Sequence, residues 1–346
     1  MEKIRIAIPM FVFQKTGGMR VITKLAEEWT SQGIHVDFII ADSSKPYFPV
    51  TERIRVVNLK ITSKIKRFQA LTEFIISNFD DYDILLATQN ATTIPIYMAS
   101  KYKNDYSKGW YYIQAYEPEF YKIYSIKDLI KKIIANKSYS FPLKKIVNAD
   151  IYKNYKNLRT DKVVYPGIDL KLYHPKRLSF FNNTVRIGTI GRVEEWKGTA
   201  DVCKAMEILK SDGFDFDFYI AFNDYDTIPH YFVRPDGDEN LSAFYRDMDI
   251  VVAACKGQYG AIHYPVIETM AVGTSIVCTD YYPSSEENAY KVDGSSPRQI
   301  AEAIKHIIYN KEEAINKRVQ ALRDVQQFGW PVIAQKFLDY LKEDEI

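Results

Sequence analysis

Buried-looking apolar runs alternate with helical periodicities along nearly the whole chain. IRIAIPMFVF (4–13) reads as a buried strand, QKTGG (14–18) as a glycine loop, and MRVITKLAEEWTSQ (19–32) as an amphipathic helix. Gly33 ends that helix, and IHVDFIIA (34–41) is the next strand. The same order recurs far downstream, with strand VRIGTI (185–190), loop GRVEEWKG (191–198), helix TADVCKAMEILKS (199–211), Gly213 and strand FDFDFYIAF (214–222). Two strand–loop–helix–strand units in one chain predict an α/β protein of two doubly wound, Rossmann-like domains facing each other across a cleft. Helices over 241–248, 265–273 and 297–310 alternate with strands over 249–255 and 274–280. The tail from about Trp330 is a last amphipathic helix. The domains are therefore expected at 1–165 and 185–329, with a turn-rich linker over 166–184 and a separate closing helix over 330–346.

Composition agrees with two domains, because 346 residues with 47% hydrophobic positions exceed what one core of roughly 150 residues holds. No uncharged apolar run reaches the 18 or so residues of a membrane span, and MEKIRIAIPMFVF, with Lys3 and Arg5, is too short and strand-like for a signal peptide. A cytoplasmic location is expected. Cys203, Cys255 and Cys278 are scattered, without disulfide or zinc spacing, and read as buried thiols. The near-neutral total hides an asymmetry: 26 basic against 17 acidic residues through position 170, and 20 against 27 after it. Part of the excess lies in IKDLIKKIIANKSYSFPLKKIV (126–147), where six lysines alternate with Ile and Leu in a helix-like rhythm. Such a segment suits either peripheral contact with an anionic membrane or core packing under a solvated lysine face. The basic residues form no nucleic-acid motif, so no nucleic-acid partner is expected.

Loop 191–198 carries the strongest chemical signal. A turn at Gly191 after a buried strand, leading to a helix N-terminus at Thr199, presents N–H groups and a positive dipole end to an anion, and Arg192 and Lys197 add two cations. Such a loop suits a diphosphate. Gly17 and Gly18 at the first strand-to-helix turn allow close backbone approach of a ligand, with Arg20 on the following turn, or they form a mere tight turn. Neither loop has the G-x-G-x-x-G spacing of a dinucleotide site, which disfavours a nicotinamide-dependent oxidoreductase. Glu268 lies in an otherwise apolar helical run, where a carboxylate needs partners such as ribose hydroxyls. The helix start around His263 and Tyr264 offers further donors, and His263 is either a donor-sugar contact or structural. In WYYIQAYEPEFYKIY (110–124), Tyr111, Tyr112, Tyr116, Tyr121 and Tyr124 with Gln114 and Glu117 suit either sugar binding or core packing.

With these residues in view, the chain resembles the retaining glycosyltransferases of sequence family 4, which have the two-domain GT-B fold. GGMRVITKLAEEWTSQGIHVDFI is similar to that family's N-terminal glycine loop and helix, and VVYPGIDLKLYHP (163–175) to its hinge. GRVEEWKG carries the family's Arg and Lys, HYPVIETMAVGTSIVCTD (263–280) resembles its second-glutamate helix, and GWPVIAQKFLDYL (329–341) its C-terminal helix. The resemblance implies an acceptor-side first domain, a donor-binding second domain and a final helix crossing back to the first. It puts Gly17, Gly18, Gly191, Arg192, Lys197, His263, Tyr264 and Glu268 on the nucleotide-sugar donor, with Arg192, Lys197 and Glu268 catalytic. Arg20, Gln114, Tyr116 and Glu117 fall toward the sugar or a glycan or lipid-linked acceptor. The reaction implied is front-face transfer with retention, in which the nucleotide diphosphate sugar is substrate and neither metal nor other cofactor is required. The base pocket falls in FNDYDTIPHYFVRPDG (222–237).

One position departs from the family pattern. Its glutamate pair is separated by seven residues, and eight positions before Glu268 this chain has Gly260, with Lys256 and Gln258 as the nearest polar replacements. That departure favours a second reading, a catalytically silent homologue that binds nucleotide sugar or a partner. A sugar-nucleotide epimerase would need a pair of catalytic carboxylates and a histidine in the cleft, which the sequence does not assign. YIQAYEPEFY and the Tyr-Pro before Glu268 are similar to bacterial rhamnosyltransferases of surface-polysaccharide synthesis, which implies rhamnose or another hexose and a site at the inner membrane face.

Overall fold

The computed structural model describes residues 4–120, 125–155, 158–175, 184–257 and 260–343. They form two compact units, Met1–Gly167 with Trp330–Ile346, and Ile168–Gly329. Each contains one six-stranded sheet in which all described strand pairs are parallel. Two α/β units with parallel sheets are what the repeated strand–loop–helix pattern predicts.

In the first unit the chain runs β1 (Arg5–Met10), α1 (Gly17–Ser31), β2 (His35–Ile40), β3 (Ile54–Asn58), α2 (Lys64–Ser77), β4 (Ile84–Ala87), α3 (Asn90–Lys103), β5 (Gly109–Ile113), α4 (Ile126–Ser138) and β6 (Lys144–Val147). The sheet order is β3-β2-β1-β4-β5-β6. The order in which the chain adds strands reverses between β1 and β4, so right-handed crossovers put α1 on one face and α2, α3 and α4 on the other. In the second unit β7 (Val185–Ile190), α5 (Thr199–Ser211), β8 (Phe216–Ala221), β9 (Tyr231–Val233), α6 (Gly237–Arg246) and β10 (Ile250–Ala253) lead into α7 (Tyr264–Ala271), β11 (Ser275–Cys278), β12 (Tyr290–Lys291), α8 (Pro297–Tyr309) and α9 (Lys311–Asp324). Its order is β12-β11-β10-β7-β8-β9, so the reversal falls between β7 and β10. Apolar side chains of β7, β8 and β10 meet those of α5 and α8 in its core, among them Ile187, Met206, Phe218, Val252 and Ile304.

The chain then returns to the first unit as α10 (Trp330–Lys342). There the Trp29 indole of α1 donates to Ala334 O (3.1 Å), and the Phe337 ring meets Trp29 and Tyr112 edge-on at 5.1 and 5.0 Å. No described helix is long and apolar enough to cross a membrane.

Two predicted elements are corrected. α1 begins at Gly17 rather than Met19, because the Thr16 hydroxyl caps it by accepting from Met19 N (3.3 Å), so both glycines are helical. The lysine-rich rhythm does not run as one helix to 147. α4 stops at Ser138, and Lys144 and Lys145 belong to β6, paired to Trp110 and Tyr111 of β5.

Candidate active site

In a doubly wound sheet, ligands bind beyond the carboxyl ends of the strands flanking the order reversal, because the loops there diverge and leave a crevice. In the second unit a cavity of about 280 Å³ occupies that place. The end of β7 (Thr189, Ile190), the end of β10 with the residues after it (Val252–Cys255), and the start of α7 line it. Arg192, Lys197, His263 and Tyr264 are brought together on its wall.

The loop that carries the two cations is held by its backbone. A Cβ on Gly191 would collide with the carbonyl oxygen of Asn223, whose amide donates to Gly191 O (3.0 Å). Thr199, in the first turn of α5, accepts from Arg192 N (3.0 Å) and lies 3.1 Å from Arg192 O. Gly198 sits at φ 75° with its Cα against Ala254 O, where any side chain would clash. Lys256 N donates to Trp196 O (2.7 Å), tying the loop to the segment after β10. The loop is thus closed onto the sheet while its charged side chains stay outside.

Neither cation has a carboxylate partner within ion-pair distance among the described residues. The Arg192 guanidinium stands 5.2 Å from the centroid of Phe222, a residue held at φ 75° beyond β8. The Lys197 ammonium lies 3.8 Å from the Trp196 ring centroid, and burial followed by Arg192's charge draws it below the usual lysine range. By contrast Lys256 is neutralised by Asp201 (2.5 Å), in the first turn of α5. Two cations beside a small cavity, one partly desolvated, form a seat for a polyanion.

His263 is the N-cap residue of α7 and is stacked on Tyr281 at 4.6 Å. Burial, with Lys197 and Arg192 adding, pushes its pKa down to about 3, so the ring is neutral at physiological pH. Its Nε2 is 3.4 Å from Cys255 Sγ, while its Nδ1 is buried with no hydrogen-bond partner. Burial raises the Cys255 thiol, so it stays protonated and can donate to Nε2, leaving Nδ1 as an N–H donor to a ligand. α7 has no acidic residue in its first turn, so its dipole end is not neutralised locally.

Glu268 lies one turn further along α7, is buried, and is not among the cavity-lining residues. Its Oε2 accepts from the buried Tyr245 hydroxyl (3.0 Å). Burial raises Tyr245 well above its ordinary pKa, Glu268 adds to this and Arg192 opposes it, so Arg192 acts electrostatically on this pair. Gly260 takes φ 81° and donates to Asp280 O (2.7 Å). Gln258 lies outside the described residues.

The remaining sequence-predicted residues belong to the first unit. Gly17 has open space where its Cβ would be, and Gly18 abuts the Gln114 amide, whose nitrogen donates to Gly18 O (3.3 Å). Arg20 is half-buried on the first turn of α1. Glu117 Oε1 accepts from Asn90 N at the start of α3 (2.8 Å) and from the Tyr111 hydroxyl (3.2 Å), and burial raises its pKa. The Tyr116 hydroxyl donates to Asn136 (2.9 Å), and its ring contacts Tyr155 at 4.3 Å. Tyr111 and Tyr112 are fully buried, so core packing accounts for them and they offer no face to a sugar. Tyr121 and Tyr124 lie outside the described residues.

Sequence reasoning missed Cys255, Trp196 and Tyr245 as site residues. Cys255 was legible in one respect: it follows the strand that flanks the reversal, where side chains point into the crevice. Among the described residues no group of three or more His, Cys, Asp or Glu could hold a metal ion.

Residues 184–310, most of the second unit, match the family described as glycosyl transferases group 1. Solved structures resemble the whole chain. A glycosyltransferase from Rickettsia africae ESF-5 has a TM-score of 0.75 at 16% identity, covering 100% of this chain and 99% of its own. Sucrose-phosphate synthase from Thermosynechococcus elongatus has a TM-score of 0.72 at 15% identity, with 99% of each chain covered. Anabaena HepE, solved in complex with UDP and glucose, has a TM-score of 0.69 at 14% identity, covering 98% of this chain and 99% of its own. No curated protein sequence matches the chain. The fold is the two-domain α/β fold of these GT-B neighbours, and the findings support a glycosyltransferase.

Proposed function

We propose that the protein is a retaining glycosyltransferase of sequence family 4 that uses a nucleoside diphosphate sugar. One observation carries this reading: Arg192 and Lys197, without carboxylate partners among the described residues, flank a cavity whose wall also holds the Nδ1 of His263, unpartnered among those residues. The UDP and glucose found with the Anabaena neighbour support a donor of this class. In transfer, the bond between the anomeric carbon and the diphosphate breaks and the acceptor oxygen bonds to the same face. The acceptor proton passes to the departing phosphate oxygen. Negative charge grows on the diphosphate, and Arg192 and Lys197 are placed to neutralise it, so no metal is required of the protein. Glu268, oriented by Tyr245, takes the donor ribose, and His263 Nδ1 donates to the sugar or phosphate. Gly17 and Gly18 are assigned to the donor, and Arg20, Gln114, Tyr116 and Glu117 to the sugar or acceptor side. The acceptor is a glycan or lipid-linked sugar of bacterial surface polysaccharide at the inner membrane face, and rhamnose or another hexose is the group moved.

The test is thermal unfolding of the purified chain against nucleoside diphosphates and nucleotide sugars, with and without chelator. A ligand at 100 times its Kd adds about 2.7 kcal/mol, read as roughly 2–4 °C per kcal/mol for domains of this size. A chelator-insensitive shift selective for one diphosphate, followed by turnover with its sugar, is expected. No shift with any of them refutes the donor site.

The left-handed backbone at Gly260, where the family pattern has glutamate, favours a second reading as a silent homologue. A glutamate there would be strained, so the position is not one substitution away from the pattern. Nucleotide binding without turnover on any sugar would select this reading.

A further inference from the structure

α4 is amphipathic, but its apolar face is the one turned to solvent. Ile126, Leu129, Ile130, Ile133 and Ile134 are 78%, 41%, 50%, 56% and 48% exposed. At about 100° per residue they cover one arc of roughly 140°. The buried residues of the helix are the small Ala135 and Ser138, both outside that arc. Asn136, beside the arc, accepts from Tyr116 (2.9 Å), and the helix packs against α3. A surface helix in water shows the reverse arrangement, with its large aliphatic residues inward. α3 itself exposes Met98 and Tyr102.

Lys127, Lys131 and Lys132 border the apolar arc, and Lys137 stands within it at the last turn. Only Lys131 has a carboxylate within reach, Asp128 at 3.5 Å, among the described residues. The Ser125 hydroxyl caps the helix, accepting from Asp128 N (3.2 Å), so its 13 residues are fixed as a rod about 20 Å long. A membrane surface fits both features, since acyl chains receive the aliphatic arc and anionic headgroups meet the lysines. A second copy of this face would set lysine rows against each other.

We infer that α4 docks the protein onto an anionic lipid surface, lying flat with Ile126, Leu129, Ile130, Ile133 and Ile134 below the headgroups. The inference deepens the proposed site of action at a membrane face and requires no particular donor. The test is co-sedimentation of the full chain with phosphatidylcholine vesicles, with and without phosphatidylglycerol. Binding about tenfold stronger to the anionic vesicles, weakened by salt, is expected. The double variant Ile130→Asp/Ile133→Asp should lose about tenfold in partitioning with an unchanged melting curve, because both residues are exposed. Equal binding to the two vesicle types, or unaltered binding of the variant, overturns the inference. A vesicle-independent dimer that the variant dissociates also overturns it and gives the face to a second copy. Nucleotide-dependent melting shifts on the same samples separate the outcomes: if they persist while vesicle binding fails, the donor reading stands and the docking falls.

Discussion

The first loop of each sheet, 11–16 after β1 and 191–198 after β7, leads from a buried strand into a helix at the edge of an order reversal, yet the polar groups around the two behave differently. In the first unit they answer one another. Gln114 bonds Gly18 O, Asn148 donates to Gln114 O (2.8 Å), and the Glu117 carboxylate sits on the first N–H of α3. In the second, charges are left over: Arg192, Lys197 and the start of α7 converge on a cavity with no anion of the protein's own within ion-pair distance among the described residues. A fold tolerates unneutralised like charges side by side where a ligand supplies the opposite sign. The contrast marks the second loop as a site for an anion to enter and the first unit as one whose helix start at α3 is already filled.

The largest effect expected from this contrast is on Arg192. Because Arg192 is exposed and bonds no carboxylate among the described residues, Arg192→Ala should leave the melting curve unchanged. Removing one preorganised charge donor from a transfer site costs about 10²- to 10³-fold in turnover. Steady-state transfer with the donor identified by thermal shift checks this, and Lys197→Ala should behave alike. Near-normal turnover in either variant would mean that the unneutralised charges are incidental.

How much of this was legible depended on range along the chain. β7 and α5 fall on the predicted 185–190 and 199–211, since a strand's apolar run and a helix's periodicity are local. The start of α1 was misplaced because a threonine cap outweighed the glycines. α9 went unread, as it buries little more than Ala314, Arg318 and Ala321 and so has almost no apolar stripe. In the site, Arg192 and Lys197 were visible from one loop. That Lys256 is neutralised by Asp201, and that Tyr245 orients Glu268 across 23 positions, are tertiary facts with no local signature.

The glycines give a smaller and sharper contrast. Gly198→Ala forces a side chain into Ala254 O at a left-handed backbone, and should destabilise the chain by about 1–3 kcal/mol while displacing Lys197. Gly17→Ala enters open space at the first residue of a helix and should stabilise by up to about 1 kcal/mol. Denaturant unfolding of the two variants measures both. If Gly17→Ala is stable but stops transfer, the first loop also approaches a ligand closely, and the contrast between the units weakens.

The smallest effect tests whether the helix start of α3 is filled at a cost. Burial raises the Glu117 carboxyl above its ordinary 4.5, against the opposing hydrogen bonds from Asn90 and Tyr111. The folded state therefore holds this proton to higher pH than the unfolded chain does. Glu117's contribution is fully present below the unfolded value and is lost as pH rises from about 4.5 through the raised folded value. Glu117→Gln keeps an oxygen for Asn90 N but cannot ionise, so its advantage over the wild type should grow over that window. Denaturant unfolding at a series of pH values reads the difference. A variant that instead loses ground as pH rises would show that α3 gains from an anion at its start, as α7 is proposed to gain from the donor's diphosphate. The two helix starts would then differ only in who supplies the charge.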